Sequence, residues 1–147
     1  MHEMLGNQYF LARKYSQAAE NLEIALSKNH KNKAIQRKLI ICYTQIGQIE
    51  KAFENFQDLI AKDIDYIIKT DPRDNDCPCS ELVFKMEKML STNQSSLDYH
   101  LILGMLYLYC NVQKSRQSFQ SACTLDPKDI RIHSILKRLN EYEKTNH

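Results

Sequence analysis

The chain has 147 residues, a length that suits one domain with a continuous core. The chain has only three glycines and three prolines, and no stretch alternates apolar with polar residues. This composition predicts an all-α protein. The formal net charge is +2 with both signs interspersed, so no nucleic-acid partner is predicted. The longest apolar run, Leu101 to Tyr109, is far shorter than the roughly twenty residues of a spanning helix, so no membrane partner is predicted.

The N-terminal segment and the cysteines indicate a compartment. Residues 1–4 contain an acid and no apolar core, so no cleavable signal peptide is expected, and the predicted location is a reducing cytoplasm. No capping residue precedes Leu5, a feature expected of a fragment cut from a longer chain. Cys42, Cys110 and Cys123 lie within helical patterns, so they are predicted to be small buried apolar residues rather than disulfide partners.

The segment from Leu5 to Ile60 contains one residue pattern twice, at an offset of 34 residues. The matched pairs include Leu5 and Leu39, Tyr9 and Tyr43, Ala18 and Ala52, Leu22 and Phe56, and Leu26 and Ile60. The helical spacing within each copy predicts two amphipathic helices joined by a tight turn, at Arg13–Lys14 and at Gly47–Gln48. Because such a pair cannot bury its apolar face alone, neighbouring pairs are expected to stack.

Beyond the second copy the pattern becomes irregular. The apolar face continues past Ile60, which predicts a helix that extends by about two turns to Thr70 and ends before Pro72. Residues 71–79 are rich in turn-forming residues and are predicted to form an exposed loop. Residues 80–90 have the pattern of the second helix of a pair whose first helix is missing.

A motif in the later part of the chain repeats one from the beginning. Leu-Gly-x-x-Tyr occurs at Leu5–Tyr9 and again at Leu103–Tyr107, and the later copy continues with Ser115, Phe119 and Ala122. One residue fewer separates Tyr107 from Ser115 than separates the matching residues of the first copy, which predicts a shorter turn near Asn111. These motifs, with the period of 34, resemble the tetratricopeptide repeat family, although the Trp and Pro slots of the first copy hold histidines.

The resemblance implies an architecture for the whole chain. It is an α-solenoid of antiparallel helix pairs, a tetratricopeptide-like superhelix of three to four repeats closed by a C-terminal capping helix with a polar outer side. The predicted boundaries are 1–32, 33–70, a degenerate 71–94 and 95–127 for the repeats and 128–143 for the capping helix, in a single domain of residues 1–147.

The sequence contains no catalytic constellation. It has no Gly-rich phosphate loop and no Gly-x-Ser-x-Gly or His-Glu-x-x-His motif, and its histidines are scattered, so neither an enzyme nor a cofactor is predicted. Cys77-Pro78-Cys79, with Asp74 and Asp76 beside it, is the one local cluster suited to a metal or a disulfide. Since zinc sites take a second ligand pair, no metal is predicted, and the preferred interpretation is two cysteines that start a helix.

In the family that the chain resembles, the first helix of each pair lines a concave groove that holds a partner's peptide or helix. The resemblance therefore implies a non-catalytic protein–protein interaction module, an adaptor or scaffold. The implied partner-binding residues are Asn7, Phe10, Arg37, Lys38, Ile41, Gln45, Leu101, Met105, Leu108 and Tyr109. Of the residues with which one subclass clamps a carboxylate, only Asn7 is kept, so no such clamp is expected.

The expected partner is a protein segment with an acidic residue beside an apolar anchor, because cations at the rim steer association and buried apolar contacts hold the complex. Two alternatives stay open. One is a self-associating structural module, in which a second copy of the chain covers the groove. The other is a metal or redox switch at Cys77-Pro78-Cys79.

Overall fold

The computed structural model describes residues 1–71 and 77–145, which form ten helices joined by turns and contain no strand. The all-α prediction is therefore confirmed. The chain forms two compact units, Met1–Tyr66 and Ile67–His147. Whether they make a single domain stays a prediction.

The first unit consists of two packed helix pairs. Their bounds are α1 His2–Leu11, α2 Tyr15–Lys28, α3 Lys33–Gln45 and α4 Ile49–Asp63, followed by the short α5 Asp65–Ile68 at the junction of the units. Helix α1 packs against α2, α3 packs against α4, and α2 also packs against α3. The two predicted helix pairs are confirmed.

Both tight turns lie where the repeat predicts them, and both use the same backbone conformation. Arg13 has φ 62° and Gly47 has φ 78°, and these residues are equivalent at the 34-residue offset. This left-handed conformation is easy for glycine and unfavourable for arginine, because a Cβ atom crowds the neighbouring carbonyl. The second copy therefore has the more favourable residue at this turn.

The predicted extension of the second pair is interrupted. Helix α4 ends at Asp63, and α5 ends at Ile68, so the prediction of one continuous helix to Thr70 is wrong. The backbone N–H and hydroxyl of Thr70 both donate to the Ile67 carbonyl, at 3.1 and 2.7 Å. These bonds close the last turn on a buried threonine and end the helix there.

The second unit also consists of packed helices. Their bounds are α6 Cys79–Glu87, α7 Leu90–Asn93, α8 Leu97–Tyr107, α9 Val112–Leu125 and α10 Ile130–Thr145. Helix α9 packs against both α8 and α10, and α6 packs against α8. The helix predicted near the C-terminus is present as α10, which buries Ile132, Ile135 and Leu139, and its capping role stays a prediction. Most of the predicted 71–79 loop, residues 72–76, lies outside the described residues.

The residue missing from the third copy shortens a helix rather than a turn. Helices α1 and α3 end two residues after Tyr9 and Tyr43, whereas α8 ends at Tyr107 itself. The Asn111 side chain accepts a hydrogen bond from the Lys114 N–H at 3.1 Å and so fixes the start of α9. The prediction of a shorter turn near Asn111 is therefore wrong.

The helices of two pairs approach so closely that a methyl group would not fit between them. A Cβ atom added to Gly6 would lie 2.6 Å from Leu22 Cδ2, and one added to Gly104 would lie 2.7 Å from Phe119 Cε2. The Ser115 hydroxyl also donates to the Gly104 carbonyl at 2.6 Å. The glycine of each Leu-Gly-x-x-Tyr motif is thus a close-packing position.

The same contact between a tyrosine and a glutamate on two different helices occurs in both units. The Tyr43 hydroxyl on α3 donates to Glu23 Oε1 on α2 at 2.9 Å, and the Lys51 ammonium lies 5.8 Å from the centre of the Tyr43 ring. In the second unit the Tyr107 hydroxyl on α8 donates to Glu87 on α6, and Lys114 lies 5.6 Å from the Tyr107 ring centre. Burial and the glutamate raise the pKa of both tyrosines.

Each glutamate precedes its tyrosine by 20 residues. Helix α6 therefore contacts α8 in the same way that α2 contacts α3. This is the position expected of the second helix in the degenerate repeat.

We expect Gly104→Ala to lower the free energy of unfolding by about 1–3 kcal/mol, because overpacking against Phe119 outweighs the better helix propensity of alanine. Denaturant unfolding measures this change. In a Phe119→Leu background the cost should be smaller, since leucine leaves room for the added methyl group. An equal cost in both backgrounds would contradict the close approach of α8 and α9.

We expect Tyr43→Ala to cost about 3–5 kcal/mol, because it removes a buried aromatic ring between α2 and α3. Tyr43→Phe should cost only about 1 kcal/mol, since it removes the bond to Glu23 while solvent can hydrate the exposed carboxylate. The same denaturation experiment compares both variants. A Tyr43→Ala protein as stable as the parent would mean that this ring does not join the helix pairs.

Candidate functional site

Six of the ten predicted partner-binding residues have buried side chains. They are Phe10, Ile41, Leu101, Met105, Leu108 and Tyr109. Helix α8 is buried on nearly every side, so Leu101 and Met105 do not lie on an exposed face as expected. The cause is that residues 101–107 of α8 are all apolar, so periodicity cannot separate a packing face from an open one there. A partner cannot contact these six side chains on the surface that the structure presents.

The four remaining residues are polar, half-buried and located in the first unit. The Lys38 ammonium on α3 donates to Asn7 Oδ1 on α1 at 2.8 Å, and it lies 5.7 Å from the centre of the Phe10 ring. Across α1 and α3 the structure thus brings Asn7 and Lys38 together, with Phe10 beneath them.

Arg37 and Gln45 do not join this group. Arg37 Nη1 donates to the Tyr66 carbonyl at 3.2 Å, and its guanidinium lies 4.5 Å from the centre of the Tyr66 ring. The Gln45 side chain donates to the neighbouring Thr44 hydroxyl at 3.2 Å. Arg37 therefore contacts the end of the first unit, and only Lys38 presents a cation beside Asn7 among the four.

Three large apolar side chains are exposed on one face of α1 and just before it. Met1 is 90% exposed, Met4 is 59% exposed and Leu11 is 51% exposed. Their positions repeat at near-helical intervals on one side of the helix, away from the close contact of Gly6 with α2. Large apolar side chains grouped on a surface mark sites that contact another molecule more often than isolated ones do.

An open cleft of about 420 Å³ lies along this face. Its lining residues are Met1, Glu3, Met4, Asn7, Gln8 and Leu11, a set we call the α1 cleft. Because Asn7 lines the α1 cleft and accepts the hydrogen bond from Lys38, the lysine ammonium lies at its edge. The cleft combines apolar walls with one cation and one carboxylate, Glu3. Among these residues, the sequence predicts only Asn7 as partner-binding, because a repeat pattern indicates which positions pack and not which apolar side chains stay exposed.

The cysteines only partly follow their predictions. Cys42 is buried as expected, and burial raises its pKa to about 12. Cys123 is half-buried and Cys110 is exposed, so the prediction of a buried Cys110 is wrong; α8 ends before it and leaves it in the connection to α9. Cys79 is buried and begins α6, as the preferred interpretation of the Cys77-Pro78-Cys79 cluster predicts. Asp74 and Asp76 lie outside the described residues.

Within residues 1–71 and 77–145, no group of three or more His, Cys, Asp or Glu side chains is arranged to hold a metal ion. No helix in the same residues has the length and apolarity needed to cross a bilayer. No protein-family model matches the chain, and no curated protein matches it.

Proposed function

We propose that this protein is a non-catalytic interaction module, an adaptor or scaffold, that binds a protein segment in the α1 cleft. The observation that carries the proposal is the exposure of Met1, Met4 and Leu11 on a single face of α1. Burial of such side chains contributes roughly 25 cal/mol for each Å² of apolar surface removed from water. Methionine suits this role because its unbranched chain adapts to differently shaped partners.

The proposal includes the arrangement of the helices. The pairs form a tetratricopeptide-like solenoid, a superhelix that presents the first helix of each pair on its concave side. Three repeated features support this arrangement: the left-handed turn residues Arg13 and Gly47, the close-packed glycines, and the tyrosine–glutamate contact between two helices. The proposed compartment is the cytoplasm.

The charges around the α1 cleft define the partner. Lys38 at one edge attracts a carboxylate, and Glu3 in the cleft wall repels one. The partner is therefore a helix or extended peptide that places an apolar anchor between Met4 and Leu11 and an acidic residue next to Lys38. The anchor supplies most of the affinity, and the charges set the orientation and the association rate.

We expect Met4→Gln with Leu11→Gln to weaken binding by at least about tenfold, because both walls of the anchor site become polar. The ligands are peptides that the immobilised parent protein selects from a random-sequence display library. The affinity of each selected peptide for the parent and for each variant is then measured by titration. Ile130→Gln is the matched control, since Ile130 is 81% exposed on α10 and should not affect binding. Lys38→Glu should remove the preference for acidic peptides and slow association.

Circular dichroism should give the same helicity and melting temperature for all variants, since the substituted side chains are exposed or half-exposed. Equal affinity of the selected peptides for the parent and for the Met4/Leu11 variant would contradict the proposal. Analytical sedimentation of the parent protein tests whether a second copy of the chain occupies the α1 cleft instead. A parent dimer that the Met4/Leu11 substitutions dissociate would mean that a second copy of the chain covers this face instead.

A further inference from the structure

One side of α1 is partly open to solvent, although the matching side of α3 and of α8 is buried. Residues four apart lie on the same side of a helix, and three such positions occur in each copy of the repeat. They are Met1, Leu5 and Tyr9 in the first copy, Ile35, Leu39 and Tyr43 in the second, and Tyr99, Leu103 and Tyr107 in the third. We call the first set the stacking face.

Exposure separates the first copy from the other two. The six side chains at these positions in the second and third copies are at most 7% exposed. On the stacking face, Met1 is 90% exposed, and Leu5 and Tyr9 are half-buried. The same three positions therefore pack fully in two copies and incompletely in the first, so the stacking face has apolar surface left to bury.

The chain itself shows what covers these positions in the other copies. Helix α2 packs against α3, and α6 packs against α8. In both cases the last of the three residues is a tyrosine that donates to a glutamate of the covering helix, Tyr43 to Glu23 and Tyr107 to Glu87. Tyr9 occupies the same position, and its hydroxyl has no such acceptor in the described part of the chain. A glutamate on a further helix would supply one.

The two covering segments also share a leucine. Glu23-x-x-Leu26 in α2 recurs as Glu87-x-x-Leu90, where Leu90 begins α7 after the turn that follows α6. Leu90 lines one cleft with all three of the third-copy positions. Because residues three apart lie on one side of a helix, a helix with this pattern offers a carboxylate and an apolar side chain together. The pattern Glu-x-x-Leu is thus a feature that the segments covering α3 and α8 have in common.

We propose that the stacking face binds a helix of a partner protein that carries the pattern Glu-x-x-Leu. The partner's glutamate accepts a hydrogen bond from the Tyr9 hydroxyl, and its leucine packs against Leu5 and Met1. A second copy of this chain is not the expected partner, because both of its Glu-x-x-Leu segments already cover its own α3 and α8. Of the three residues only Met1 lines the α1 cleft, so binding at Leu5 and Tyr9 does not depend on binding in that cleft.

The leucine and the glutamate of the partner have different roles. Packing of the leucine against Leu5 and Met1 removes apolar surface from water, which supplies affinity. A hydrogen bond from Tyr9 to an ionised carboxylate is stronger than one to a neutral acceptor, and it fixes where the partner's helix lies along α1. A partner segment that is helical before it binds is favoured, because ordering a short segment costs free energy.

One position beside these tyrosines differs between the copies. The ammonium groups of Lys51 and Lys114 lie 5.8 and 5.6 Å from the centres of the tyrosine rings in the second and third copies. Lys114 Nζ also lies 3.8 Å from Glu87 Oε1. The matching residue of the first copy is Gln17, which is exposed. A lysine at position 17 should therefore attract the partner's glutamate.

The probe is a synthetic peptide with the sequence of α2, Tyr15–Lys28, held helical by a side-chain cross-link on the side away from Glu23 and Leu26. Fluorescence anisotropy measures its affinity for the full chain. We expect Glu23→Ala in the peptide, or Tyr9→Phe in the protein, to weaken binding by about fivefold, because each removes the same hydrogen bond. Combining the two changes should weaken binding no further. Gln17→Lys should tighten binding of the glutamate peptide by about twofold and leave the alanine peptide unaffected.

Tyr43→Phe is the matched control. It removes the same hydroxyl from a side that α2 already covers, so the affinity of the peptide should not change. Circular dichroism checks that every variant keeps the helicity of the parent. Equal affinity of the two peptides for the parent, equal effects of Tyr9→Phe and Tyr43→Phe, or no binding at millimolar peptide would overturn the proposal. So would a parent dimer that Leu5→Gln dissociates, because a second copy of the chain would then cover the stacking face.

Discussion

The structure depends on the close approach of paired helices at a glycine. Leu22 fills the space beside Gly6, and Phe119 fills the space beside Gly104, so in these two pairs the first helix contributes no side chain at the contact. This contact fixes which side of α1 faces α2, and Met4 and Leu11 are exposed on another side. The surface proposed to bind a partner is thus a consequence of the packing that forms the pair.

The contact between a tyrosine and a glutamate of different helices is the second constraint. In both units a tyrosine donates to a glutamate on an earlier helix, and a lysine lies near the same ring. In the second unit this contact aligns α6 with α8.

Much of the fold follows from the sequence because the repeat supplies two copies of each signal. The paired helices and the turns at Arg13 and Gly47 are confirmed, since period and spacing are local properties. Which side chains are exposed to solvent is much harder to predict. Residues 101–107 of α8 are all apolar, so periodicity could not reveal that Met105 is buried. The exposure of Cys110 depends on where α8 ends, and α8 ends two residues earlier than the matching helices α1 and α3 do.

The central claim is that the α1 cleft binds a protein partner. Nuclear magnetic resonance of the isotope-labelled chain, titrated with one selected peptide, tests it most directly. The account predicts that shift changes concentrate in residues 2–11 and at Lys38, with the largest changes at the Met4 methyl group and the Leu11 amide. Changes confined to residues 79–145, or spread evenly over the chain, would contradict it.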